Sequence, residues 1–142
     1  MSIKLNTGKT VKLDIEFEGK GDNFFLEFNP CDTGLLFRLN SFVETLKNTQ
    51  KEIDNRNIDE ENQVEFMESI SNMLKDELNN SFNSDVSKDI FKYCDPLSII
   101  DGKYYIVVFF QSVFPEIRRH IEIANNESQE RMKKHLDKYG IE

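Results

Sequence analysis

The chain has 142 residues, 38% of them hydrophobic and 31% charged, which is typical of one globular domain. Its net charge of −8 argues against a nucleic-acid-binding surface, because such surfaces rely on Lys and Arg. The longest apolar run, residues 104–110, is too short to span a bilayer, and the N-terminus lacks the apolar stretch of a signal peptide, so we expect a cytoplasmic protein that does not bind membranes.

Two segments near the N-terminus alternate apolar and polar residues, as half-buried β-strands do. They span residues 10–18 and 23–29, and the Gly-Lys-Gly-Asp sequence between them predicts a turn. Residues 3–6 are a possible third strand. One face of this sheet is apolar and needs a covering layer. The sequence therefore predicts a β-hairpin or small sheet within residues 3–28.

Two amphipathic helices are predicted next, at about 33–54 and 58–82. The loop between them is short, so we expect an antiparallel pair. The apolar stripe of the second helix comprises Val64, Met67, Ile70, Leu74, Leu78 and Phe82. Candidate caps are Asp32 or Thr33 for the first helix, and Asn57 with Glu60 for the second.

The C-terminal half begins with a short predicted helix at about 85–93, which Ser84 or Asp85 can cap. Pro96 and the Asp101-Gly102 pair then indicate turns. Residues 104–114 suit a strand by residue type. We favour a helix because the apolar stripe continues at helical spacing on both sides of Pro115. Pro115 either kinks one long helix or opens a second one.

The predicted fold is α+β and mainly helical, with an N-terminal antiparallel hairpin packed on a bundle of about four helices. One globular domain would span residues 1–125, with the hairpin at 3–28 and the helical bundle at 33–125. Residues 126–142 are strongly polar and predict an exposed helical tail.

No group of residues has the spacing of a catalytic, cofactor or metal site. His120 and His135 lie in polar sequence surroundings, without a neighbouring cluster of cysteines or carboxylates. This favours surface histidines over metal ligands or general bases. Cys31 and Cys94 are far apart in sequence, which indicates two reduced thiols. The six glycines are scattered and form no phosphate-binding loop. We expect a protein that is not an enzyme and needs no cofactor or metal.

The dense apolar block at residues 104–124 has two interpretations. It is a central core helix, or part of it forms an apolar groove for a partner segment. Both hold if the chain oligomerises. The candidate partner-binding residues on the second interpretation are Phe82, Phe91, Phe110, Phe114, Ile117 and Ile121.

Residues 5–125 resemble the tail assembly chaperones of long-tailed bacteriophages and their prophage relatives. The shared features are an N-terminal hairpin, a helical pair and then a signature. That signature runs approximately Phe-Gly-Glu-Gly, a few polar residues, Phe, and a helix with an early aromatic residue and a late Pro-x-Ile. This chain has Phe82-Asn83-Ser84-Asp85, then Ile90-Phe91, then Phe110, Phe114, Pro115 and Ile117. Asn83 and Asp85 replace the glycines, and Asn tolerates left-handed backbone angles.

The resemblance implies a protein that binds the tape-measure protein, keeps it soluble and helps tail-tube subunits polymerise around it. It also implies self-association, a location in the bacterial host cytoplasm and absence from the mature virion. Phe82 and Phe91 would clamp a short turn and helix against the core. On this view, charge substitutions at exposed apolar positions of the last helix, Ile117 and Ile121, abolish partner binding without unfolding.

Two other classes remain open from the sequence. One is a structural phage component, such as a tail-completion or head–tail joining protein, which would persist in the particle. The other is a regulator or inhibitor that binds one host protein.

Overall fold

The computed structural model describes residues 1–55 and 60–138, and within these ranges it contains four helices and four strands. In chain order they are β1 (Val11–Phe17), β2 (Asp22–Phe28), α1 (Thr33–Asn55), α2 (Glu60–Phe82), α3 (Ser87–Ile90), β3 (Ile99–Ile100), β4 (Lys103–Tyr104) and α4 (Tyr105–Lys138). This architecture confirms the predicted α+β, mainly helical fold. The predicted helix start at 58 and the cap at Asn57 lie outside the described residues.

The N-terminal hairpin is antiparallel, with Val11 opposite Phe28 and Phe17 opposite Asp22. On β2 the inward Leu26 and Phe28 are buried, whereas Phe24 and the inward side chains of β1 are half-buried. The predicted third strand at residues 3–6 is wrong, because residues 1–10 form no strand in this chain. The hairpin is therefore a two-stranded sheet that rests on the helices mainly through β2.

Helices α1 and α2 form the predicted antiparallel pair. Arg38 near the start of α1 donates a hydrogen bond from Nε to the carbonyl oxygen of Ser81, near the end of α2, at 2.9 Å. Asp32 caps α1 as predicted, since its Oδ1 accepts from the Gly34 amide at 2.9 Å. The prediction for Val64 is wrong, because this side chain is 70% exposed. The described buried residues of α2 all lie between 70 and 82, and in its early turns the half-buried Phe66 still packs against the core.

Helix α4 begins where the chain leaves a small hairpin. Asp101 and Gly102 have φ angles of 51° and 79°, which fits a type I′ turn between β3 and β4. The amides of Tyr105 and Ile106 then donate to the Ser98 and Pro96 carbonyls at 2.7 and 3.0 Å. These bonds satisfy two of the donors that a helix start leaves unpaired. Residues 105–114 are therefore helical, which confirms the helix favoured over a strand for this segment.

Pro115 lies inside α4, which continues to Lys138 as one helix. Pro115 is exposed, so water can reach the carbonyl group that lacks its helical donor. The helix also crosses the predicted domain boundary at 125–126 without a break, and every side chain from 126 to 135 is exposed. In the described part of the chain, none of the helices combines the length and hydropathy needed to cross a bilayer.

The core is one cluster to which the N-terminal hairpin and all four described helices contribute. Its central stripe lies on α4, with the helical spacing predicted from the sequence. The ring of Phe110 on α4 stacks on Phe42 of α1 with centroids 5.1 Å apart. The stripe consists of Ile106, Phe109, Phe110, Val113, Ile117 and Ile121. The core-helix interpretation of the block at 104–124 is confirmed by this burial.

Candidate partner-binding surfaces

The candidate partner-binding residues lie mostly in the core. Ile117 and Ile121 are each 2% exposed, so the expectation that they present exposed apolar surface is wrong. Their positions on the inward stripe of α4 explain this burial. Phe91 and Phe114 are half-buried and pack against the same core, and their role in partner binding stays a prediction. The four buried members are Phe82, Phe110, Ile117 and Ile121.

A ladder of aromatic rings connects the core with the surface along α4. Phe42 stacks on Phe110, and Phe110 stacks on Phe114 with ring centroids 5.4 Å apart. The guanidinium carbon of Arg118 lies 5.1 Å from the Phe114 ring centroid, a distance typical of a cation–π contact. Because Phe42 and Phe110 are buried, only the outer end of the ladder is accessible to a partner.

Asn79, on the last turns of α2, organises the segment that leads into α3. Its Oδ1 accepts hydrogen bonds from the backbone amides of Val86 and Ser87 at 2.9 and 2.8 Å. Its Nδ2 donates to the Ser87 hydroxyl at 2.9 Å. The predicted caps at Ser84 or Asp85 are therefore wrong. Val86 occupies the cap position and makes no side-chain cap bond, so Asn79 supplies the acceptor from outside α3.

The α3 helix is also shorter than the predicted range of 85–93, with only four residues. Phe91 at its end makes an edge contact with Tyr105, with ring centroids 6.0 Å apart. The Tyr105 hydroxyl donates to the carbonyl oxygen of Ile90 at 3.0 Å. One turn of helix is thus fixed at its start by α2 and at its end by α4.

Asn83 takes the left-handed backbone conformation, with a φ of 53°. The sequence predicted that this residue would tolerate such a turn in place of glycine. The turn is closed by a hydrogen bond from the Ser84 amide to the Asn79 carbonyl oxygen at 3.1 Å. The φ angle of Asp85 is not positive, so only one of the two substituted glycine positions requires the left-handed conformation.

The Arg38 side chain connects the start of α1 to the last turn of α2. Arg38 contacts the Asp32 carboxylate through one guanidinium nitrogen at 3.0 Å and the Ser81 carbonyl through another. The hydrogen bond from Arg38 lowers the pKa of Asp32, and the Gly34 amide adds to the effect. Asp32 therefore stays ionised as the cap of α1.

The N-terminal arm, residues 1–10, is fixed at its base. The side-chain amide of Asn29 donates to the Thr7 carbonyl oxygen at 2.6 Å. Gly8 has a φ of 94°, and a Cβ at this position would lie 2.9 Å from the Cβ of Cys31. Backbone angle and close approach together require glycine here. The arm base is thereby held against the turn that follows β2.

A groove of about 530 Å³ separates the arm base from the second half of α4; we call it the arm–α4 groove. Ile123 is 44% exposed and lies in this groove. The other apolar lining residues are Val11, Pro30, Cys31 and Ala124. The charged lining residues are Lys9, Glu127 and Arg131. A groove lined by both apolar and charged residues suits an amphipathic peptide segment.

The tip of the N-terminal hairpin is fixed by a polar cluster that sequence spacing did not reveal. The carboxylate of Asp22 accepts hydrogen bonds from Lys92 Nζ at 2.6 Å and from the Tyr93 hydroxyl at 2.7 Å. The bond from Lys92 is the main cause of the lowered pKa of Asp22. The Tyr93 ring also meets the Phe17 ring edge-on, with centroids 4.9 Å apart. These contacts are structural, since they join the hairpin to the segment after α3.

Among the residues that the structure describes, no three His, Cys, Asp or Glu side chains are placed to hold a metal ion. Cys31 and Cys94 are free thiols. His135 is exposed, whereas His120 is half-buried and meets the Phe28 ring edge-on at 6.0 Å, so only His135 fits the prediction of a surface histidine.

No model of a protein family matches the chain, and neither a curated protein nor a solved structure is similar to it.

Proposed function

We propose that the protein is a phage tail assembly chaperone that binds the tape-measure protein, keeps it soluble and promotes assembly of the tail tube. The observation that carries the proposal is the left-handed turn at Asn83. At the first of the two replaced glycines, the backbone takes a left-handed conformation that glycine favours, which supports the resemblance at that position. Phe82 before the turn and Phe91 after the one-turn helix then pack on one core, as that signature implies.

The arm–α4 groove is the surface that this function would use. A tape-measure protein is long, helical and apolar, and it aggregates when alone. Its apolar lining residues can contact apolar side chains from one face of such a helix, while its charged lining residues, Lys9, Glu127 and Arg131, can contact polar groups beside that face. Ile123 is the exposed apolar residue of α4 within the groove, so it replaces Ile117 and Ile121 as the position to test.

Co-expression with the tape-measure protein tests the proposal. We expect the large protein to become soluble and to co-purify with this chain. Ile123→Asp should abolish co-purification without unfolding the chain, because the side chain is already 44% exposed. Met132→Asp is the matched control, since Met132 lies on the same helix, is 62% exposed and does not line the groove.

Two outcomes would count against the proposal. If the tape-measure protein stays insoluble beside the wild-type chain, the chaperone function fails. If Ile123→Asp still co-purifies, the groove is not the binding surface. Recovery of this chain in finished particles would instead favour a structural tail-completion or head–tail joining protein.

A further inference from the structure

The tip of the N-terminal arm, residues 1–6, has the residue pattern of a β-strand, but it pairs with no strand of its own chain in the described residues. Ile3 and Leu5 are 85% and 82% exposed, and Lys4 lies between them. Alternation of this kind is typical of a strand with one face covered. The sequence predicted a strand here, yet the structure forms none.

The arm base explains why the tip does not fold back onto β1 of the same chain. Thr7 is hydrogen-bonded to Asn29, and Gly8 packs against Cys31, so the base lies at the end of β2. A return onto the outer edge of β1 would need residues 7–10 to form a tight turn. That turn would break the contacts with Asn29 and Cys31.

The outer edge of β1 lacks a neighbour in the described sheet. The N-terminal hairpin has two strands only, so β1 presents unpaired backbone N–H and C=O groups along this edge. Its inward side chains, such as Leu13 and Ile15, are half-buried, while Leu26 on β2 is 1% exposed. An added strand with apolar inward residues would complete the burial of this edge.

Charge favours the same pairing. Residues 1–13 contain three lysines and no acidic residue, in a chain with a net charge of −8. The outward face of β1 carries two carboxylates, Asp14 and Glu16, and one lysine, Lys12, all exposed, so this face is net acidic. In the described part of the chain, neither of these carboxylates nor Lys4 forms an ion pair. A strand that turns Ile3 and Leu5 inward places Lys4 outward, on the face of the two carboxylates.

We propose that the arm tip of one copy adds as a third strand to the β1 edge of a second copy. The exchange is reciprocal, so each arm completes the sheet of the other chain and a two-fold dimer closes. Ile3 and Leu5 extend the inward apolar row, and Lys4 meets the acidic outer face. The inference does not rest on the tape-measure proposal, because neither Ile3, Lys4 and Leu5 nor residues 13–16 of β1 line the arm–α4 groove.

Sedimentation velocity of the full chain over a concentration series tests the exchange. We expect a dimer whose dissociation constant rises about tenfold or more in the double variant Ile3→Asp/Leu5→Asp, because each exchanged arm loses two buried apolar side chains. Val64→Asp is the matched control, since this α2 residue is 70% exposed and distant in sequence from the arm. It should leave the dimer unchanged. Thermal unfolding should verify that both variants remain folded.

Charge reversal identifies the docking edge. Lys4→Glu should weaken the dimer, and adding Asp14→Lys with Glu16→Lys should restore it. A wild-type chain that stays monomeric at all concentrations overturns the proposal. The proposal is also overturned if the dimer is insensitive to Ile3→Asp/Leu5→Asp, or if Val64→Asp dissociates it too. It is overturned equally if the Asp14→Lys and Glu16→Lys substitutions do not restore the dimer of Lys4→Glu.

Discussion

Replacement of Asn79 by alanine would leave the start of α3 without its hydrogen-bond acceptor. The side-chain oxygen Oδ1 of Asn79 accepts hydrogen bonds from two backbone amides, those of Val86 and Ser87. Loss of a helix cap costs about 0.5–2 kcal/mol, and each net hydrogen bond contributes about 1 kcal/mol. We therefore expect a gross loss of about 2–3 kcal/mol in the free energy of unfolding. Alanine's better helix propensity offsets about 0.5 kcal/mol of this, since Asn79 is inside α2.

Asn80→Ala is the matched control. Asn80 is the next residue of α2, is exposed, and undergoes the same chemical change. The free energy of unfolding of Asn80→Ala should be unchanged or higher by a few tenths of a kcal/mol, since only the gain in helix propensity contributes. Equilibrium urea unfolding, followed by circular dichroism, gives both free energies. For a chain of this size the Asn79 variant should also unfold about 6 °C lower. If the free energies of unfolding of the two variants agree within about 0.5 kcal/mol, the Asn79 side chain does not stabilise the start of α3.

Four further substitutions test separate parts of the structure. Asn83→Gly should leave the free energy of unfolding unchanged within about 0.5 kcal/mol, whereas Asn83→Val should lower it by about 1–2 kcal/mol in urea unfolding, because the φ of 53° disfavours a β-branched residue. Equal stabilities of the two variants would contradict the left-handed turn at Asn83. Ile117→Asp should unfold the chain by circular dichroism while Ile123→Asp does not, since the two residues are 2% and 44% exposed; a folded Ile117→Asp would refute the core assignment. Lys92 and Tyr93 lower the pKa of Asp22, so its contribution to stability is full above the ordinary carboxyl pKa and is lost as the pH falls through the lower pKa of the folded state. Asp22→Asn should therefore lower the urea midpoint near neutral pH and match wild type in strong acid, and a difference that grows in acid would contradict the assignment. Gly8→Ala should speed amide exchange at positions 8 and 31, whose N–H groups donate to the side-chain oxygens of Asn6 and Asn29, while Gly19→Ala should not. Both glycines have positive φ angles, but of the two only Gly8 has neighbours within 4 Å of the added Cβ, so equal exchange in the two variants would exclude a role for Cys31.

Periodic features of the sequence predicted the elements well. The alternation in β1 and β2, the helical stripes of α1 and α4, and the Asp101-Gly102 turn depend on residues close together in sequence. The favoured helix at residues 104–114 was correct from Tyr105 onward for the same reason, because the stripe from Ile106 to Ile121 keeps one period across Pro115; Tyr104 belongs to β4.

The remaining features depend on contacts between distant parts of the chain. Asn79 caps α3 from outside it, and Lys92 bonds to Asp22 on the hairpin, so neither contact has a local sequence signal. Burial on α4 followed the predicted stripe, but periodicity could not show that Ile117 and Ile121 face the core rather than a partner. The arm tip shows the converse, since residues 3–6 have the alternation of a strand but form none in this chain.

Quantitative mass spectrometry of tail assembly intermediates and of finished particles tests the central claim most directly. A chaperone acts during assembly and then leaves. We predict this chain in complexes that contain the tape-measure protein and only trace amounts in finished particles. A fixed, stoichiometric number of copies in finished particles, with none in the tape-measure complexes, would contradict the account and identify a structural component.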